Sequence, residues 1–321
     1  VDLIQQRASS CPGPHIYTLG AMTVKLESSQ LSEFGALKQA GCVGISNASK
    51  PVGDSQLMRN ILDYAVGYQL KAFLTPMDKY LGEAGCAHEG QVATRMGLPG
   101  IPVAAETAIV ARDLALIEAT GVNAHFCRLS SARSVEMISN AQQRGLPVTA
   151  DVSAHQLFLT ENDIVGFDNN AHVLPPLRTE RDRDALRQAV IDGTVSAICS
   201  DHQPHEADAK LAPFAETEAG MSTLESWLSL CLKLMRELDI DPATMIGAIS
   251  TNPADILGIP AGRLTTGESA DITVIDPEIE WTFHIADMKS QGKNSAFNNW
   301  PFKGKVTHTS VSYTHLTLPT N

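Results

Sequence analysis

TVSAICSDHQPH, residues 194–205, joins an apolar β-rich run to a carboxylate and two imidazoles. A short apolar run bounded by polar residues reads as a buried strand, and strands buried on both faces belong to parallel sheets. In such sheets reactive groups collect beyond the carboxyl ends of the strands. Asp201 is placed to hold a metal or to take a proton from metal-bound water. The plainer reading makes it the N-cap of the next helix, with His202 and His205 on the surface.

Working outward, the same kind of run recurs as HIYTLGAMTV (15–24), CVGIS (42–46), KAFLT (71–75), NAHFCRL (123–129) and LPVTADVS (146–153). Amphipathic segments separate them, among them DSQLMRNILDYAVGYQL, ETAIVARDLALIEATG, SARSVEMISNAQQRG and TERDRDALRQAVIDG, each ending near Gly or a polar turn. Repeated βα units predict a parallel sheet. Six units are two short of the eight that close a barrel, so the choice lies between a barrel lacking two units and a doubly wound six-stranded sheet. The helical stretches LESWLSLCLKLMREL and DPATMIGAISTNPADILGI follow, and 270–276 with 305–311 then read as strands of a small separate β unit.

The chain has 321 residues, 43% hydrophobic and 19% charged, an ordinary globular balance. Its net charge of −12 would repel phosphate backbones and anionic membrane surfaces, which argues against nucleic-acid and membrane partners. Six dispersed cysteines form no CxxC, so neither a zinc ribbon nor a dithiol motif is spelled, and free thiols in apolar runs suit a reducing cytoplasm. No GxGxxG, Walker loop, GxSxG or HExxH is present. The loop PFAETEAG, from Pro213 to Gly220, can offer backbone N–H groups to an anion or serve as a plain connection.

Several stretches together resemble the dihydroorotases of the amidohydrolase superfamily. They are SDHQPH with PFAETEAG, AHEGQVATRMGLPGIPVAAE (87–106), LPVTADVSAHQL (146–157), HVLPPLRTERDRDAL (172–186), NPADILGIPAGRLTTGESADI and KNSAFNNWPFKGKV. The resemblance implies an α/β fold, a (β/α)8 TIM barrel with a small β-sandwich domain. The family's first two βα units, which carry a His-x-His metal pair, have no counterpart here, so the expected layout is strands 3–8 of a barrel over 1–262 and part of the β domain over 263–309. Residues 310–321 depart from the family and read as a non-native tail.

Carried over residue by residue, the resemblance implies lost chemistry. Asn47 stands where the family has an acidic metal bridge, Thr75 where it has a metal-binding His, and Arg128 where a second His binds metal. Among the metal positions covered only Asp201 is kept, as a vestigial ligand or a general acid/base. A zinc site needs three or four N, S or O donors; Asn is a weak one, Thr seldom binds zinc, and Arg cannot lose its charge in a protein. An Arg128–Asp201 ion pair is the natural filling of such a site. Leu174 replaces a substrate-contacting Asn, while His205, Pro213 and Gly220 keep the family's substrate-side loop. His88, His125 and His155 read as packing or hydrogen-bonded structural imidazoles, and His15, His284, His308 and His315 as surface or strand residues.

Three functions compete. The preferred one is a catalytically inactive dihydroorotase-like protein of pyrimidine biosynthesis, cytoplasmic and oligomeric, holding no cofactor and acting as a structural partner of aspartate carbamoyltransferase. The alternative is an active zinc dihydroorotase in which metal-bound hydroxide opens the cyclic amide and Asp201 shuttles the proton. A small-molecule binding module built on His205 and the PFAETEAG loop is the third.

Overall fold

The computed structural model describes residues 1–10, 13–311 and 314–317, the last four as backbone only. The chain opens with α1 (Asp2–Ser10), β1 (Leu19–Ala21), α2 (Phe34–Gln39), β2 (Gly44–Ser46), α3 (Ser55–Gly67) and β3 (Lys71–Leu74). A short excursion follows, containing α4 (Lys79–Gly82), β4 (Ala87–His88), α5 (Gln91–Met96) and β5 (Gly100–Ile101). Regular alternation resumes with α6 (Ala104–Thr120), β6 (Ala124–Phe126), α7 (Ala132–Gln143), β7 (Val148–Ser153), α8 (Glu180–Ile191) and β8 (Ala197–Cys199). The rest comprises α9 (Leu224–Glu237), α10 (Pro242–Ile246), α11 (Asn252–Leu257), β9 (Ile272–Thr282), β10 (Pro301–Val311) and β11 (Thr314–Thr317).

All six predicted βα strands form one sheet in the order β1-β2-β3-β6-β7-β8, with every neighbouring pair parallel. The order never turns back on itself, which excludes the doubly wound sheet, where the reversal creates the switch point. It is the order of a barrel wall, six strands of the eight that close one.

Local sequence explains the outer ring. Asp54 caps α3 by accepting from the N–H groups of Gln56 and Leu57 (2.8 and 3.2 Å), and Met58, Ile61, Leu62 and Ala65 recur at helical spacing along its buried face. Thr179 and Asp182 form a capping box at α8. At the end of α6, Gly121 takes φ +72°, a left-handed C-cap that a side chain would strain.

The strands alternate with period two. On β7, Val148, Ala150 and Val152 face the helices within the main core, together with Ala124 and Phe126 of β6 and Ala72 and Leu74 of β3. Thr149, Asp151 and Ser153 therefore point to the opposite, inner face of the wall, beside His125 of β6. This inner face is polar towards the carboxyl ends of the strands. Elsewhere it is apolar, with Phe73, Ala197 and Ile256 packed together.

The second sheet is antiparallel, in the order β11-β10-β9. Its first two strands are longer than the expected 270–276 and 305–311, because bulges at Lys303/Lys305 and Val306/His308 carry the pairing through irregular sequence. Gly304 takes φ +96° at the first bulge, a conformation that favours Gly, and a Cβ there would lie 2.5 Å from Leu232 Cδ1 of α9, so a side chain would also push Leu232 aside where the sheet meets that helix. Of the residues read as a tail, Ser310 and Val311 lie in β10 and Thr314–Thr317 form β11; residues 312, 313 and 318–321 lie outside the described residues.

Candidate functional site

Three strand ends converge on the inner face. After β6 the chain turns through Arg128 at φ +59°, and after β8 through Asp201 at φ +47°. Left-handed conformations cost non-glycine residues of order 1–3 kcal/mol each and gather where the fold fixes side chains for a purpose. Arg128 N–H donates to Asp151 Oδ1 at 2.7 Å, which holds the turn against β7. Its guanidinium then reaches across, with Nη1 3.1 Å from Asp201 Oδ1.

Asp201 is closed in by donors. Ser153 Oγ donates to Oδ2 at 3.0 Å and Gln203 Nε2 to Oδ1 at 2.8 Å, beside the Arg128 contact. Burial works against the Arg128 charge, but Asp201 and the nearby thiols Cys199 and Cys127 outweigh it, so the guanidinium is held even more firmly charged than usual.

One step deeper on the same face, His125 bonds Thr149 Oγ1 through Nδ1 (2.7 Å) and Asp151 Oδ2 through Nε2 (2.8 Å). Cys199 Sγ lies 3.2 Å from Asp151 Oδ1. Burial would raise the Asp151 carboxyl, yet the bond and charge of His125, the Arg128 N–H and the Cys199 thiol together lower it. Burial, then Asp151, pushes the thiols of Cys127 and Cys199 well up.

His155, read as a hydrogen-bonded imidazole, differs from that expectation. It is fully buried, and among the described residues neither ring nitrogen has a hydrogen-bond partner. Burial drives its pKa down to about 4, with Asp201 opposing and Arg128 reinforcing the shift, so the ring is neutral. His88 conforms, being buried with Nδ1 3.1 Å from Arg178 Nη1. His15 lies 3.2 Å from Asp271 and His284 bonds Asn299 at the surface, while the side chain of His315 and all of Cys11 lie outside the described residues.

Asn47 and Thr75 take no part in the ion pair's hydrogen bonds among the described residues. They line a cleft with Met22, Phe73, Arg112 and Asp113. The Asn47 amide is fully engaged: Oδ1 accepts from Thr23 Oγ1 (2.9 Å), and Nδ2 donates to Lys50 O (3.0 Å) and Ser28 Oγ (3.3 Å).

The residues at the positions that the resemblance gives to the metal do not fit zinc. One retained carboxylate already meets three donors, a fixed cation stands beside it, and the other two side chains are a neutral amide bound elsewhere and a hydroxyl.

The loop that the resemblance places on the substrate side is held by its own hydrogen bonds. His205 Nε2 donates to Ala219 O (3.1 Å), Pro213 O accepts from Glu216 N, and the Gly220 N–H that an anion would need donates to His172 O (2.8 Å). Asn294 clasps the loop by donating to Gln203 O and Gly220 O and accepting from His205 N. Leu174 is exposed. Sequence reasoning did not single out Ser153 or Gln203. The alternation of VTADVS was the available signal for Ser153, because it puts residues 149, 151 and 153 on one face.

Comparison with known proteins agrees with this architecture. The amidohydrolase family model matches residues 75–312, and a dihydro-orotase-like model matches residues 1–134. A dihydroorotase-like protein from Pseudomonas aeruginosa is 45% identical over 98% of this chain and 74% of its own length. A dihydroorotase from Desulfotalea psychrophila is 41% identical over 92% of this chain and 70% of its own length. Among solved structures, an L-hydantoinase (dihydropyrimidinase) from Arthrobacter aurescens superposes with a TM-score of 0.82 at 20% identity, covering 94% of this chain and 69% of that one, a likeness of fold.

Proposed function

From the premise that this chain belongs to the amidohydrolase family as a dihydroorotase-like protein, we propose that it is a non-catalytic member. In this reading it acts in the cytoplasm, within pyrimidine biosynthesis, as a structural partner of aspartate carbamoyltransferase. The observation that carries it is the Arg128 guanidinium 3.1 Å from Asp201, the one carboxylate kept among the family's metal positions covered here. A dication would have to displace a cation from that carboxylate, with no imidazole at Thr75 or Arg128 to compensate. Without a metal to generate hydroxide, the barrel face lacks the nucleophile that opening a cyclic amide requires.

The test is dihydroorotate ring opening, followed by loss of its ultraviolet absorbance, with the purified protein and added Zn2+. No turnover above the zinc blank is expected. Hydrolysis that disappears in Asp201→Ala would overturn the reading and favour the active zinc enzyme, for which the retained Asp201 is the one supporting feature.

A further inference from the structure

A second constellation lies on the inner face, one residue layer deeper than the Arg128–Asp201 pair. His125 and Cys127 at the end of β6 and Asp151 on β7 bring one nitrogen, one sulfur and one oxygen donor within 4.8 Å of one another. Cys199 at the end of β8 stands outside that group of three, but its Sγ lies 3.2 Å from Asp151 Oδ1, which makes it the candidate for a fourth donor. None of the four stands at a position where the resemblance places a metal ligand.

We propose that His125, Cys127, Asp151 and Cys199 form a closed, four-donor site for a divalent, thiophilic cation such as Zn2+. Zinc bonds of about 2.0–2.3 Å set tetrahedral donors roughly 3.3–3.8 Å apart. The pairs His125–Asp151 (2.8 Å) and Asp151–Cys199 (3.2 Å) lie at or inside that spacing, the 4.8 Å limit on the His125–Cys127–Asp151 group leaves a movement of about 1 Å, and the Cys199 side chain must swing further to meet His125 and Cys127 around the ion. Two thiolates with one imidazole and one carboxylate select zinc over magnesium or calcium, which prefer all-oxygen shells.

The surroundings suit such a site. The donors come from three adjacent strands of one sheet, which fix positions better than loops do. Thr149 Oγ1 lies 2.7 Å from His125 Nδ1 and can accept its proton, leaving Nε2 free to bind the ion, the usual orienting contact of a metal-bound imidazole. Binding exchanges the two thiol protons for the cation. The product, two thiolates, one carboxylate and a dication, carries a charge of about −1 beside the Arg128 guanidinium, which stabilises it. Four protein ligands leave no position for water, so the ion would brace the wall and supply no hydroxide.

The probe is Co2+ titrated into reduced, chelator-treated protein. One equivalent should bind with a near-ultraviolet thiolate-to-cobalt charge-transfer band, and Zn2+ should displace it. Cys127→Ser and Cys199→Ser should each remove most of the band, Cys231→Ser in α9 should keep it, and Thr149→Val should weaken binding about 10–100-fold at unchanged stoichiometry. A parallel measurement needs no variant: Zn2+ should protect Cys127 and Cys199 from alkylation, read by peptide mapping, and leave Cys42 labelling unchanged. Folded protein with no charge-transfer band, a band that survives in the C127S/C199S double variant, or absence of protection overturns the site. The ring-opening assay is separate: metal binding without turnover supports both readings, and failure of one leaves the other standing.

Discussion

Arg128 Nη1 lies 3.1 Å from Asp201 Oδ1, and both residues hold left-handed backbone conformations to make that contact. The two come from turns after β6 and β8, with β7 between them, and Ser153 of β7 donates to the second oxygen of the carboxylate. Three consecutive strand ends are thus tied at one buried charge.

Removing the cation should therefore be costly. Arg128→Ala leaves Asp201 buried with only Ser153 and Gln203 as side-chain donors among the described residues, and breaking a buried pair from one side costs about 3–5 kcal/mol. Arg128→Gly should lose about 1 kcal/mol less, because it relieves the φ +59° strain. Arg128→Met with Asp201→Asn should recover most of the loss, since no lone charge remains. Equilibrium urea denaturation of the three variants orders them.

Acid sensitivity should come from buried imidazoles. Burial takes both His155 and His172 from 6.5 to about 4, so each is neutral when folded and gains a proton on unfolding between those values. The unfolded chain binds more protons in that window, so stability is complete above about pH 6.5 and falls as the pH drops towards 4, by roughly 3 kcal/mol per group. Asp113, raised by burial to about 6, acts in the opposite sense: it binds its proton more tightly when folded and its contribution is lost as pH rises through 6. His155→Leu should flatten the acid limb of a stability-against-pH curve and be neutral or stabilising at pH 7.5, because it removes two unpartnered buried nitrogens. An unchanged acid limb would show that His155 does not titrate in this way.

Elements set by local pattern were legible in the sequence, and those set by distant partners were not. The six wall strands announce themselves as apolar β-rich runs between amphipathic helices, and the motif TVSAICSDHQPH located Asp201. β4 and β5, of two residues each, are too short to leave a periodic signal, and α1 buries no residue, so no apolar stripe marks it. Ser153 and Cys199 face each other only because β7 and β8 pair in that register, a fact that neither segment carries alone.

A buried glutamate anchors the step from α6 to α7. Glu106 is fully buried; Oε1 accepts from Ser131 N (3.1 Å) and Ser131 Oγ (2.7 Å), and Oε2 from Ser130 N (3.1 Å) and the Ser130 hydroxyl. Glu106→Ala orphans these donors and removes the stronger of the two negative charges, Glu106 and Asp182, that stabilise buried Arg178, so a loss of at least about 4 kcal/mol is expected. Glu106→Gln keeps the shape and one acceptor, and should lose roughly half as much. Thermal melting of the two variants beside the parent measures the difference.

The proposed partnership follows from what has changed and what has not. At the three separate strand ends where the resemblance places metal donors, this chain has Asn47, Thr75 and Arg128. The capping box of α8, the C-cap Gly121 and the close approach of Gly304 to Leu232 all remain in working geometry. Decay without a use would erode cores and turns together with the chemistry, since most substitutions destabilise by about 1 kcal/mol and few are needed to unfold a domain. Retained shape with altered chemistry points to a retained contact surface, and a stable one should bury about 1,200–2,000 Å² in total. Co-expression with the aspartate carbamoyltransferase of the same cell should therefore give one complex on size-exclusion chromatography, and the carbamoyltransferase alone should be less stable or less active. Arg128→Met with Asp201→Asn should leave that complex intact, because the pair lies inside the wall and not on its surface. Separate elution of the two proteins, with full transferase activity when this chain is absent, would remove the partnership and leave the non-catalytic reading to stand on the ring-opening assay alone.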